Sequence, residues 1–153
     1  MFAKDIMETN VITLKKNATI REIAELMITH GISGFPVVNE QNTVLGVVSE
    51  LDLMRKEIRP NEPNAWTVCL WSFNNSNKLS EYQDAVRKYM ANTAGDIMTS
   101  PAITVDEKAD LETVGKLMFD NSIKRVFVTE NGVLAGVISR SAFVKLLLAN
   151  KKQ

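Results

Sequence analysis

Gly46-Val47-Val48-Ser49-Glu50-Leu51-Asp52 and Gly136-Val137-Ile138-Ser139-Arg140-Ser141-Ala142 are two copies of one pattern. In each, a short apolar strand stops at a serine and a helix begins. Backbone N–H groups at such a junction carry partial positive charge and suit an anionic ligand. The copies differ in one informative place, Asp52 against Ala142.

The pattern is part of a longer repeat, which sets the whole organisation. Asp5-Ile6-Met7 recurs as Asp96-Ile97-Met98, Val11-Ile12-Thr13-Leu14 as Ala102-Ile103-Thr104-Val105, and Leu26-Met27 as Leu117-Met118. The offset is 91 residues through Val38 and 90 after the following turn, so one residue is missing from the second hairpin. The copies run from Lys4 to Glu57 and from Gly95 to Ala149.

Within a copy, Ile12–Leu14 reads as a strand. Thr19-Ile20-Arg21-Glu22 reads as a capping box, and Ile20, Ile23, Ala24, Met27 and Ile28 follow helical spacing up to Gly31. The matching stripe is Leu111, Val114, Gly115, Met118 and Phe119. Two strands follow, Phe35–Val38 and Val44–Val48, joined by Asn39–Thr43; their counterparts, Val126–Thr129 and Val133–Ile138, are joined through Asn131-Gly132, a hairpin signal. Final helices are expected near Leu51 and Ser141. The fold class is therefore α/β, with two β-α-β-β-α repeats. Neither buries its apolar faces well alone, so one domain over 1–153 with the repeats packed face to face is expected.

Residues 58–94 have no partner in the repeat. Pro60 and Pro63 end the preceding helix, and Asn74-Asn75-Ser76-Asn77 reads as a loop. Ser80-Glu81-Tyr82-Gln83 reads as a capping box opening one helix, with Tyr82, Ala85, Val86, Tyr89 and Met90 as its apolar positions. Trp66, Leu70, Trp71 and Phe73 either pack the insertion on its own domain or face a partner.

Composition narrows the function. Of 153 residues, 45% are hydrophobic and 24% charged, with Lys+Arg and Asp+Glu balanced at 18 each. No net field recommends nucleic acid, and Lys145, Lys151 and Lys152 read as the dipole-matched end of the last helix. No leader or membrane span is read, and the single Cys69 fits a reducing compartment, so a cytoplasmic protein is expected. One histidine, His30, and one cysteine make neither a zinc set nor a nucleophilic triad, and no phosphate-binding G-x-x-x-x-G-K-[ST] loop occurs. No enzyme activity, metal or cofactor is expected.

Ser49 and Asp52 admit two readings. They are spaced as a helix N-cap and an acid reaching back to it. Alternatively, Asp52 offers paired acceptors to the 2′ and 3′ hydroxyls of a ribose. Ala142 shows that the repeat does not require an acid at this position.

The doubled unit, with Asp-Ile-Met, Gly31-Ile32-Ser33-Gly34-Phe35-Pro36-Val37-Val38 and the Gly46–Asp52 junction, resembles a tandem CBS-domain protein, the cystathionine-β-synthase-type pair also called a Bateman module. The resemblance covers the chain outside 58–94. It implies a regulatory, dimer-forming module that takes an adenosine compound (AMP, ADP, ATP, S-adenosylmethionine or NADH) between the repeats. It implies that Asp52 holds the ribose and that Ile12, Ile32, Gly34, Phe35 and Pro36 contact the adenine. Ser139, Ser141, Lys124 and Arg125 match phosphate contacts; read from the residues alone, Lys124 and Arg125 either grip a phosphate or form an ordinary solvated pair, and Arg140 either supplies another charge or faces water. Ala142, with Ser33 and Gly34 matching Lys124 and Arg125, implies one competent nucleotide site per chain. Asp52→Ala is expected to weaken ribose binding with little loss of stability. Output would pass through dimer rearrangement or to an effector protein in trans. The competing reading is a structural or interaction module with vestigial clefts, working through Trp66–Phe73.

Overall fold

The computed structural model describes residues 1–74 and 76–149. Part of the Asn74–Asn77 loop and the expected C-terminal positions Lys151 and Lys152 lie outside the described residues.

In order, the elements are α1 (Ala3–Ile6), α2 (Ile20–His30), β1 (Gly34–Val38), β2 (Val44–Ser49), α3 (Glu50–Lys56), α4 (Ala65–Phe73), α5 (Lys78–Met90), α6 (Ala94–Ile97), β3 (Thr104–Asp106), α7 (Leu111–Asp120), β4 (Arg125–Glu130), β5 (Val133–Ser139) and α8 (Arg140–Ala149). The fold is mixed α/β, with a two-stranded sheet β1-β2 and a three-stranded sheet β3-β4-β5. The compact units do not follow the repeats: one is 1–13, 38–45 and 101–153, the other 14–37 and 46–100.

In the first unit, β3 runs parallel to β4, and β4 pairs antiparallel with β5. Asn131 (φ 50°) and Gly132 (φ 82°) form the two-residue turn expected there, both in the left-handed region that such a turn requires. The N-terminal Asp-Ile-Met segment belongs here. Glu8 pairs with Val137, Ala3 N–H donates to the Ala109 carbonyl at 2.8 Å, and Met7 lies against Gly136. A Cβ on Gly136 would sit 2.7 Å from Met7 Sδ and 2.9 Å from the Glu8 carbonyl, so glycine is required. Ala3, Val105, Val114, Met118, Val126, Val128 and Ile138 make the core.

The second unit repeats these devices with the other Asp-Ile-Met segment. Val47 pairs with Thr99, Ala94 N–H donates to the Ala18 carbonyl at 2.8 Å, and a Cβ on Gly46 would sit 2.7 Å from Met98 Sδ and 2.8 Å from the Thr99 carbonyl. Ile23, Phe35, Val37, Val48, Ala94 and Ile97 are buried. The α2 capping box is present, Glu22 N–H donating to Thr19 Oγ1 at 3.2 Å and Thr19 N–H to Glu22 Oε2 at 2.7 Å.

Four expectations need correction. Ile12–Leu14 is not a strand: only Leu14 bridges, to Val37. The insertion holds two helices, α4 and α5, rather than one. The latter starts at Lys78, so Ser80 lies inside it and donates back to the Asn77 carbonyl at 2.8 Å instead of capping. Ile28 and Phe119, assigned to buried stripes, are 86% and 84% exposed: a helix on one side of a small core buries only part of its apolar face.

Candidate functional site

The first junction is built by β2 running into α3. Glu50 N–H donates to the Ser33 carbonyl at 3.0 Å, tying the start of α3 to the residue before β1. Gly34 opens β1 here, where a Cβ would meet the Val48 carbonyl at 3.3 Å and Ser49 Cα at 3.7 Å. Of the expected adenine strip in this unit, Gly34, Phe35 and Pro36 are buried, and Ile32 is half-buried with its N–H on the Met27 carbonyl. Phe35 and Pro36 thus serve as core side chains.

Asp52 is buried, and its carboxylate is fully engaged. Oδ2 accepts from Ser49 N–H at 2.7 Å and Ser49 Oγ–H at 3.1 Å. Oδ1 accepts from Lys88 Nζ and from Thr99 Oγ1 at 3.2 Å. A carboxylate has about four acceptor sites, and all four are taken. The cap reading is therefore realised in the acid's reach back to Ser49 N–H, with the Ser49 hydroxyl donating to the same oxygen.

Lys88 comes from α5, and its side chain and that of Asp52 are each 7% exposed. Its ammonium also donates to Thr99 Oγ1 at 2.8 Å, closing a ring of three groups. Asp84 Oδ2 stands 3.9 Å from Nζ. Burial pushes the Asp84 carboxyl up. The Arg87 hydrogen bond and the charges of Lys88, Arg87 and Arg55 outweigh that and hold it below the usual range. This geometry runs against the expectation that Asp52→Ala brings little loss of stability, because the substitution would remove the buried ammonium's nearest carboxylate and the bonds to Ser49 and Thr99.

Lys88 and Thr99 are the site residues that sequence reasoning missed. Thr99 directly follows the second Asp-Ile-Met, the position of Glu8 in the first copy. Lys88 lies three residues beyond Ala85, on the packed side of its helix, a spacing signal obscured by the habit of assigning lysines to water.

The second junction, β5 into α8, repeats the frame with different chemistry. Arg140 N–H donates to the Lys124 carbonyl at 3.0 Å, matching Glu50 and Ser33. Arg125 pairs with Ser139 across β4 and β5, Ser139 Oγ and Ser141 Oγ share a 2.6 Å hydrogen bond, and Arg140 Nε donates to the Ile123 carbonyl at 3.0 Å. The structure thus brings Lys124, Arg125, Ser139 and Ser141 together. Lys124 and Ser141 are exposed, and Ala142 lies half-buried against the core. Ile12, expected in the adenine strip, is half-buried in the same unit.

Among the described residues, no cluster of three His, Cys, Asp or Glu is placed to hold a metal, and no helix is long and apolar enough to cross a membrane.

Comparison with known proteins places these junctions in a family. The CBS domain model matches residues 3–59 and 94–149. The uncharacterized protein MJ1225 of Methanocaldococcus jannaschii is 29% identical over 144 residues, which cover 94% of this chain and 42% of that protein. The CBS domain-containing protein CBSX1, chloroplastic, of Arabidopsis thaliana is 28% identical over 151 residues, 91% of this chain and 60% of that protein. The chain thus spans about half the length of these two relatives. The crystal structure of CBSX2 in complex with AMP superposes with a TM-score of 0.80 at 26% identity, covering 99% of both chains. The CBS domain pair of MJ0100, solved with 5′-methylthioadenosine and S-adenosyl-L-methionine, gives a TM-score of 0.69 at 20% identity over 98% of both. With two matched copies, this chain belongs to the CBS domain family.

Proposed function

We propose that this chain is a ligand-sensing CBS module that binds an adenosine compound of the AMP class and catalyses no reaction. The observation that carries this reading is its likeness, over nearly its whole length, to a CBS protein crystallised with AMP. Two local chemistries support it. In one unit, Asp52 stands at a strand-to-helix junction as an acceptor suited to ribose hydroxyls. In the other, Lys124, Arg125, Ser139 and Ser141 gather cations, hydroxyls and the N-terminus of α8 at one junction, a setting that favours a phosphate. Binding acts as a signal only where the ligand prefers one state of the protein. The output passes to a partner chain or through self-association.

Calorimetric titration with AMP, ADP, ATP, S-adenosylmethionine and NADH, with GMP as control, tests the reading. Saturable binding of an adenosine compound without GMP binding is expected; silence across the panel overturns it. A second reading, a protein-interaction module, is favoured by α4, where Trp66 is 72% and Phe73 82% exposed. It gains if the panel is silent and Trp66→Ala abolishes capture of a defined partner.

A further inference from the structure

We propose that Lys88 is a built-in competitor for the Asp52 carboxylate, so that the segment between the repeats sets the affinity for the ligand. This rests on the adenosine reading above, with Asp52 as the hydroxyl acceptor.

The saturated carboxylate carries the inference. A ribose offers Asp52 two hydroxyl donors, and Asp52 has no acceptor site left for them. Two of its four bonds come from Ser49 and go to Oδ2, one from the backbone N–H at the start of α3, which the chain fixes, and one from the serine's own hydroxyl. The other two come from side chains of other segments, Lys88 and Thr99, and both converge on Oδ1. A hydroxyl therefore reaches Oδ1 by displacing the lysine.

Lys88 also has somewhere to go. Asp84, one helical turn earlier on α5, holds Oδ2 at 3.9 Å from Nζ, while its Oδ1 is bonded to Arg87 at 2.6 Å. A change in the lysine side chain exchanges one carboxylate for the other without stranding the charge. The helix itself need not leave. Arg87 holds the carbonyls of Asp96 and Met98, and Lys56 Nζ donates to the Tyr89 carbonyl at 3.1 Å. The two berths make a two-state element that the ligand biases through its preference for a free Asp52. Lys88 and Asp84 both lie outside the matched family segments, so this is a property of the insertion.

The test is AMP titration of the wild type, Lys88→Met, Asp84→Asn and the double variant. Removing the competitor raises AMP affinity about tenfold. Removing the second berth lowers it in the wild type and has no effect once Lys88 is gone, a coupling that a merely structural lysine would not produce. AMP binding by Lys88→Met alone also supports the proposal. Unchanged or weaker binding by Lys88→Met overturns it and leaves the adenosine reading standing. If Lys88→Met does not fold, unchanged affinity in Asp84→Asn overturns it equally. No AMP binding by any of the proteins overturns both.

Discussion

The two strand-to-helix junctions share a backbone and differ in chemistry. Both tie the first helical N–H to a carbonyl just before the first strand of the hairpin, Ser33 in one and Lys124 in the other. Both press a glycine of the strand against the methionine of an Asp-Ile-Met segment. At the fourth residue of the junction they part: Asp52 is buried in a ring with Lys88 and Thr99, and Ala142 joins an apolar core. The difference separates what both junctions share from what one carries alone. The strand, the glycine and the backbone tie belong to the shared scaffold. The acid and its lysine belong to one junction, with a stability cost of their own to disturb.

The largest effect that would sharpen the contrast is on the buried pair. Asp52→Ala should lower unfolding free energy by about 2–4 kcal/mol by removing the Ser49, Thr99 and Lys88 bonds and leaving the ammonium only the half-exposed Asp84, and adding Lys88→Met should recover part of that. Denaturant unfolding of the three proteins decides it, and additive losses would break the claim that the pair acts as a unit.

Where the junctions are alike, their mutants should be alike. Gly46→Ala and Gly136→Ala each drive a Cβ against a backbone carbonyl, at 2.8 and 2.9 Å, and should each cost about 1–3 kcal/mol. A large cost at one and none at the other, read by thermal unfolding, would contradict the shared scaffold. Smaller again is the α2 cap, where Thr19→Ala should cost about 1 kcal/mol in the same assay.

The smallest effect is acid sensitivity, present in both halves. The backbone N–H of Thr19 beside Glu22, of Asn92 beside Asp96 and of Thr113 beside Asp110 holds each carboxyl below its usual value. Unfolded, these groups take up protons near 4.5 for Glu and 3.8 for Asp. Their stabilisation is therefore complete above those values and drains as pH falls through the lower folded ones. A melting temperature that declines on acidification below about pH 4.5 is expected, and a rise would contradict these caps.

Much of this was legible from the repeat. An offset of 91 places Thr19 over Asp110, and both cap a helix; Asn131-Gly132 makes the turn its residues require. The allocation of the Asp-Ile-Met segments was not legible, because it is written in pairings between residues some 50 to 130 positions apart, such as Glu8 with Val137. Lys88 escaped for a different reason. Periodicity records which positions are apolar, and a charged side chain on a packed face is visible only once its partner, 36 residues away, is known.

The most direct test is a crystal structure of the protein with AMP. The account predicts a ribose hydroxyl on Asp52 Oδ1, with the Lys88 ammonium moved to Asp84. Ribose bound away from Asp52, or bound there with Lys88 still on the carboxylate, would contradict it.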